Sequence, residues 1–181
     1  MHPEKHSSPQ MLEVWKRILS WHKANTPEEY CRLRSGASYE ELQSVETQLG
    51  LELPDDIKSS CRIHDGQLEE GGIIGGEGWR LLPLLEITEI RERWIQANPG
   101  DRYYIPVAEG VMGDYVLLNL DPNSENQGSL MIQRKDSTES DYFMPSFASW
   151  LTNFADQLET GEFAYSEEDG CVMYADELDL D

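Results

Sequence analysis

Residues 103–135 read YYIPVAEGVMGDYVLLNLDPNSENQGSLMIQRK, and this run decides the fold. It holds three strand-like stretches, Tyr103 to Val107, Tyr115 to Leu120 and Ser129 to Lys135. Glycine, asparagine, aspartate and proline punctuate them, and β-branched or aromatic runs between such breakers read as strands. In the second stretch Val116, Leu118 and Leu120 alternate with Leu117 and Asn119, the pattern of a strand partly covered on both faces. In the third, Leu130 and Ile132 alternate with the polar Ser129 and Gln133. The connection from Asp121 to Gly128 is too short for a crossover and suits an antiparallel hairpin.

Working outward, the residues before this run read as helices. Ser8-Pro9 opens the first, with Leu12, Trp15, Ile18, Leu19 and His22 on one face, up to Asn25-Thr26-Pro27. Ser38 and Glu41 have capping-box spacing for a second, which carries Leu42, Val45 and Leu49 and closes at Gly50. Leu53-Pro54 begins a third, bearing Ile57 and Cys61 and stopping at His64-Asp65-Gly66. Trp79 to Leu82 reads as a further strand, and Ile87, Ile90 and Trp94 as a helical stripe. On the other side, Ser146 caps a helix with Phe147, Trp150, Leu151, Phe154 and Leu158 inward, ended by Gly161. Helices, then strands, then a helix predict an α+β fold: one domain, with a mostly antiparallel sheet partly wrapped by helices. The expected divisions are a disordered lead over 1–8, the domain over 9–165, and a loose acidic tail over 166–181.

Thirty-five acidic residues face fourteen basic ones, a net charge of −21. Such a field repels phosphate backbones and anionic lipid, so nucleic acid and membrane are excluded as partners; it favours a cationic one. The densest basic run is the pair Arg134-Lys135. No apolar run approaches a membrane span. Cys31, Cys61 and Cys171 are odd in number and widely spaced, which suggests neither disulfides nor zinc. The expectation is a soluble, cytoplasmic protein.

His64-Asp65 has the residue types of a metal hydrolase, but the other histidines, His2, His6 and His22, lie in the lead or on an apolar helix face. The run Gly71 to Gly78 lacks a P-loop ending and carries Glu77, with Glu69 and Glu70 just before it. Asp121 to Gly128 has its glycine misplaced for a calcium loop, and Ile132 stands where a bidentate glutamate is needed. No serine lies in a nucleophile elbow. These readings predict no catalytic residues, no cofactor and no metal.

Taken in order, the motifs resemble the SUKH superfamily, which includes a fungal cell-wall-synthesis regulator and many bacterial immunity proteins. The matching pieces are Leu33, Gly36-Ala37-Ser38, Glu41-Leu42, Leu49-Gly50, Leu53-Pro54-Asp55 and His64-Asp65-Gly66-Gln67. They continue through Trp79 to Leu84, Ile105-Pro106-Val107, Gly113-Asp114 and the Ser146-Phe147-x-x-Trp150-Leu151 helix. The resemblance implies an α+β fold without catalytic residues. It also implies an immunity-type protein that binds and blocks a cationic toxin domain, or else a scaffold in cell-wall assembly. The contact surface is expected at Glu69, Glu70, Glu77, Trp79, Asp114 and Asp121, with acids steering the encounter and the tryptophan supplying affinity. Asp114 has a second reading, as a turn residue bonding local backbone N–H groups. An enzyme whose site the sequence hides is the remaining alternative.

Overall fold

The computed structural model describes residues 8–27, 32–68, 78–97, 100–110, 112–137, 139–168 and 171–178. The five helices among the described residues start and stop where local chemistry says they should. α1 (Pro9–Asn25) has its proline at the first helical position and buries Met11, Val14, Trp15, Ile18 and His22. In α2 (Tyr39–Leu49) the Ser38 hydroxyl accepts from the Glu41 N–H at 3.2 Å, and the Glu41 carboxylate accepts from the Ser38 N–H at 2.7 Å. Gly50 ends it in the left-handed region at φ +64°. α3 (Asp55–Ile63) follows Pro54. α4 (Leu84–Ala97) receives its first N–H on Asp65 Oδ1 at 2.9 Å. α5 (Phe147–Thr160) is capped by the Ser146 hydroxyl, which accepts from the Ser149 N–H at 3.0 Å.

Five strands form one antiparallel sheet in the order β1-β2-β3-β4-β5. They are β1 (Arg80–Leu81), β2 (Tyr104–Glu109), β3 (Tyr115–Asn119), β4 (Leu130–Gln133) and β5 (Ser140–Met144). Ile105 pairs with Leu118, and Leu118 with Leu130, so these fully buried side chains share one face. Leu117 points the other way and is buried too, as the alternation in β3 implied. α4 packs on β2 and against α2, while α1 packs on α5 and α3.

Two connections depend on glycine. A Cβ on Gly36 would lie 1.9 Å from the Arg62 carbonyl oxygen, because this segment runs hard against the end of α3. Gly66 takes φ +68°, and a Cβ on it would lie 2.4 Å from the Pro83 nitrogen. Beside it Gln67, fully buried, accepts from the Leu81 N–H through Oε1 and so ties the end of α3 to the sheet.

Two expectations need correction. The edge strand β5 was not anticipated, because Asp141 and Tyr142 are exposed and its alternation is weak. Part of the segment expected as a loose tail folds back instead: β6 (Phe163–Ser166) pairs with β7 (Cys171–Tyr174). Val172 is buried there, and the Phe163 and Tyr174 rings lie 4.5 Å apart. A short apolar run between acidic turns was hidden by the charge around it. The lead over 1–7 and most of the glycine-rich run lie outside the described residues. No helix among the described residues is long and apolar enough to cross a membrane.

Candidate functional site

Of the residues expected to touch a partner, the structure describes Trp79, Asp114 and Asp121. Glu69, Glu70 and Glu77 lie outside the described residues. Trp79 is only 3% exposed and belongs to the core, its ring against Gly110, so it has no face to offer. Asp114 follows its second reading: it accepts from the Lys135 N–H at 2.8 Å and from Arg134 Nη1 at 2.9 Å. Those contacts, the backbone N–H foremost, hold its carboxyl below the usual range. Asp121 accepts from the Asn123 N–H at 2.9 Å within the β3–β4 turn, where Asn119 bonds Asp121, Ser124 and Asn126. Asp121 Oδ1 thus serves its own turn.

The residues with reactive chemistry are likewise engaged in packing. His64 stands edge-on to Trp15, with its Nδ1 3.2 Å from the Arg34 carbonyl oxygen. Burial pushes its pKa down. Asp65 caps α4, and burial pushes its carboxyl up. Burial, with the Asp65 charge adding to it, pushes the Cys61 thiol up to about 12. Among the described residues no group of three or more His, Cys, Asp and Glu side chains is arranged to hold a metal ion.

What the fold does build is a groove of about 370 Å³ between α2 and α3. Tyr39, Leu42, Gln43 and Glu46 line it from α2; Asp55, Lys58, Ser59 and Arg62 line it from α3. Both sets recur every three or four residues, so each forms a stripe along its helix. Glu52 closes one end, and Ser8, which precedes α1, borders the other wall, with its N–H donating to Ser59 Oγ at 3.2 Å.

The groove is electrically uneven. Lys58 Nζ lies 3.1–3.5 Å from Glu52, Glu46 and Asp55. Burial works against the ammonium charge, but the hydrogen bond with Glu52 and the field of Glu46 outweigh it and raise its pKa. Glu46 also accepts from the Leu53 N–H, which makes it part of the frame. The Glu52 and Asp55 side chains stand 84% and 82% exposed, so three carboxylates share one ammonium and two of them face solvent. One turn further along α3 the Arg62 side chain has no hydrogen bond or ion pair with a described residue, and its Nε is buried without an acceptor. Tyr39, 59% exposed, supplies an aromatic wall.

A second cleft of about 330 Å³ is lined by Trp94, Tyr115, Gln133, Arg134, Lys135 and Ser137 among others. Trp94, expected in the core, is half-buried there, edge-on to Tyr115 at 6.2 Å. Asp114 neutralises much of its positive charge.

Residues 36–153 match the SMI1 / KNR4 family (SUKH-1). The chain belongs to that family. The SMI1/KNR4 match takes in both helices of the groove and all five strands of the sheet, whereas Ser8 lies before it. The chain is 28% identical over 201 residues to the Schizosaccharomyces pombe cell wall biosynthesis/cell cycle regulator smi1, covering 91% of this chain and 39% of that protein. It is 36% identical over 80 residues to the Neurospora crassa glucan synthesis regulatory protein, covering 44% of this chain and 15% of that protein. Human F-box only protein 3 is 25% identical over 166 residues, covering 83% of this chain and 35% of that protein. The chain thus spans less than two fifths of the length of these relatives.

The groove was not found from sequence. Each stripe is legible on its own helix, and Lys58 and Arg62 stand four residues apart. Nothing in the sequence says that α2 and α3 line one groove.

Proposed function

We propose that this chain is a non-catalytic, protein-binding regulatory domain that holds its partner in the groove between α2 and α3. The observation that carries the reading is the family match, with relatives named as regulators of cell-wall biosynthesis and glucan synthesis. The groove supports it: two exposed carboxylates at one end, an aromatic wall, and at the other a guanidinium without a partner among the described residues. A buried donor left unpaired costs about 1–3 kcal/mol, which an acceptor on a partner would relieve. The partner is expected to carry a basic side chain for Glu52 and Asp55 and an acceptor for Arg62. Its role is regulation of cell-wall assembly, by analogy with the named relatives. A second reading, an antidote that blocks a cationic toxin domain, is favoured by the net charge of −21, which would speed the encounter.

The test is affinity capture from the native cell with the wild-type chain and with Glu52→Lys/Asp55→Lys, at about 50 mM and about 500 mM salt, where surface attraction is strong and then screened. A cationic protein held by wild type at low salt, and lost from the variant, supports the groove. Its identity, a wall-assembly component or a secreted toxin, separates the two readings. Equal retention by both baits removes the groove from the account, and no retention at either salt removes protein binding.

A further inference from the structure

We propose that Ser8 is a phosphorylation site and that its phosphate is received by Arg62 at the mouth of the α2–α3 groove. Ser8 and Arg62 line the same 370 Å³ groove. The Ser8 N–H donates to Ser59 Oγ at 3.2 Å, and Ser59 and Arg62 stand one turn apart on the same face of α3. In a chain with thirty-five carboxylates, Arg62 has none among the described residues and keeps a buried Nε without an acceptor. A phosphate on Ser8 brings three strong acceptor oxygens to that place, and guanidinium is the cation whose fork fits them.

The chain around Ser8 suits the same group. Ser8 is the residue before α1, its side chain makes no cap hydrogen bond, and the first turn of that 17-residue helix holds no acid. A dianion there lies at the positive end of the helix dipole. The opposing charges are Glu46, Glu52 and Asp55, which share Lys58, and Asp56, which accepts from the Ala148 and Ile57 N–H groups. Ser8 is followed by Pro9 and is only partly buried, which makes it a substrate for a proline-directed kinase. In that step the Ser8 Oγ–P bond forms, the β–γ phosphoanhydride of ATP breaks, ADP leaves, and the hydroxyl proton passes to the kinase's base.

Thr26-Pro27 is an internal contrast. Thr26 is also followed by proline, but it caps the C-terminal end of α1 and its hydroxyl donates to the His22 carbonyl oxygen at 3.0 Å. A phosphate there meets the negative end of the same helix. One helix therefore predicts opposite outcomes for two similar sites. Closing the groove to a partner would be the consequence of the Ser8 phosphate; that consequence rests on the binding reading above, whereas the phosphate–Arg62 contact does not.

The experiment uses the full chain with phosphoserine installed at position 8 during translation, followed by phosphorus NMR titration and thermal melting. The second ionisation of the phosphate, ordinarily near pH ~6, is expected to shift to lower pH, a loss of proton affinity of about 2–5-fold. The shift is expected to shrink in Arg62→Gln to the part that the helix dipole supplies, and to return in part in Arg62→Lys. Melting is expected to rise for phosphoserine at 8 and to fall for phosphothreonine at 26. An ionisation that is the same in wild type and both Arg62 variants overturns the contact. A proline-directed kinase with ATP is expected to label the purified chain at Ser8, read by peptide mass spectrometry, with no label there in Ser8→Ala. No label at Ser8 in the wild-type chain overturns the site.

Discussion

Single residues here are tuned mainly by burial, and that makes them testable one at a time. The Cys61 thiol, buried and pushed up to about 12, stays protonated at neutral pH. Iodoacetamide at pH 8 should label Cys171 in the folded chain and spare Cys61 until denaturant is added, as peptide mass spectrometry would show. Asp114 behaves in the opposite sense. Its folded pKa lies below its ordinary 3.8, so it stabilises the fold above that value and the contribution is lost as pH falls through the folded pKa. Asp114→Asn should therefore melt below wild type at pH 7, and the gap should narrow on acidification below pH 3.8. Gly36→Ala places a methyl group where the Arg62 carbonyl already sits, and should cost about 1–3 kcal/mol or more in urea unfolding. The motif glycine was legible in sequence; the carbonyl it makes room for was not.

At the scale of elements, helices were far easier to read than strands. Caps and apolar stripes are local, so the start of α2 at Ser38 and of α5 at Ser146 followed from a few neighbouring residues. Ser146→Ala removes the acceptor for the Ser149 N–H and should destabilise the chain by about 0.5–2 kcal/mol. Phe154, 1% exposed on α5 and packed against Phe163, should cost about 3–5 kcal/mol on truncation to alanine. Strands depend on partners that lie elsewhere in the chain. β3 announced itself because both of its faces are apolar, whereas β5 and β7 are short and flanked by acids, and become strands only beside β4 and β6.

For the whole molecule the ruling quantity is charge. A net −21 predicts that association with a cationic partner slows steeply as salt rises, while dissociation changes less, a pattern that stopped-flow measurement can separate. Composition, charge, the α+β order of elements and the family likeness were all determined by sequence alone, because each is a sum over residues or a pattern within a few turns. The tertiary structure alone decided that Trp79 is interior, that Asp114 and Asp121 serve their own turns, and that residues 171–174 fold back onto the domain. It also decided that Tyr39, Lys58, Ser8 and Arg62 share one groove. Those facts depend on distances between segments far apart in the chain, which packing sets and local pattern does not contain.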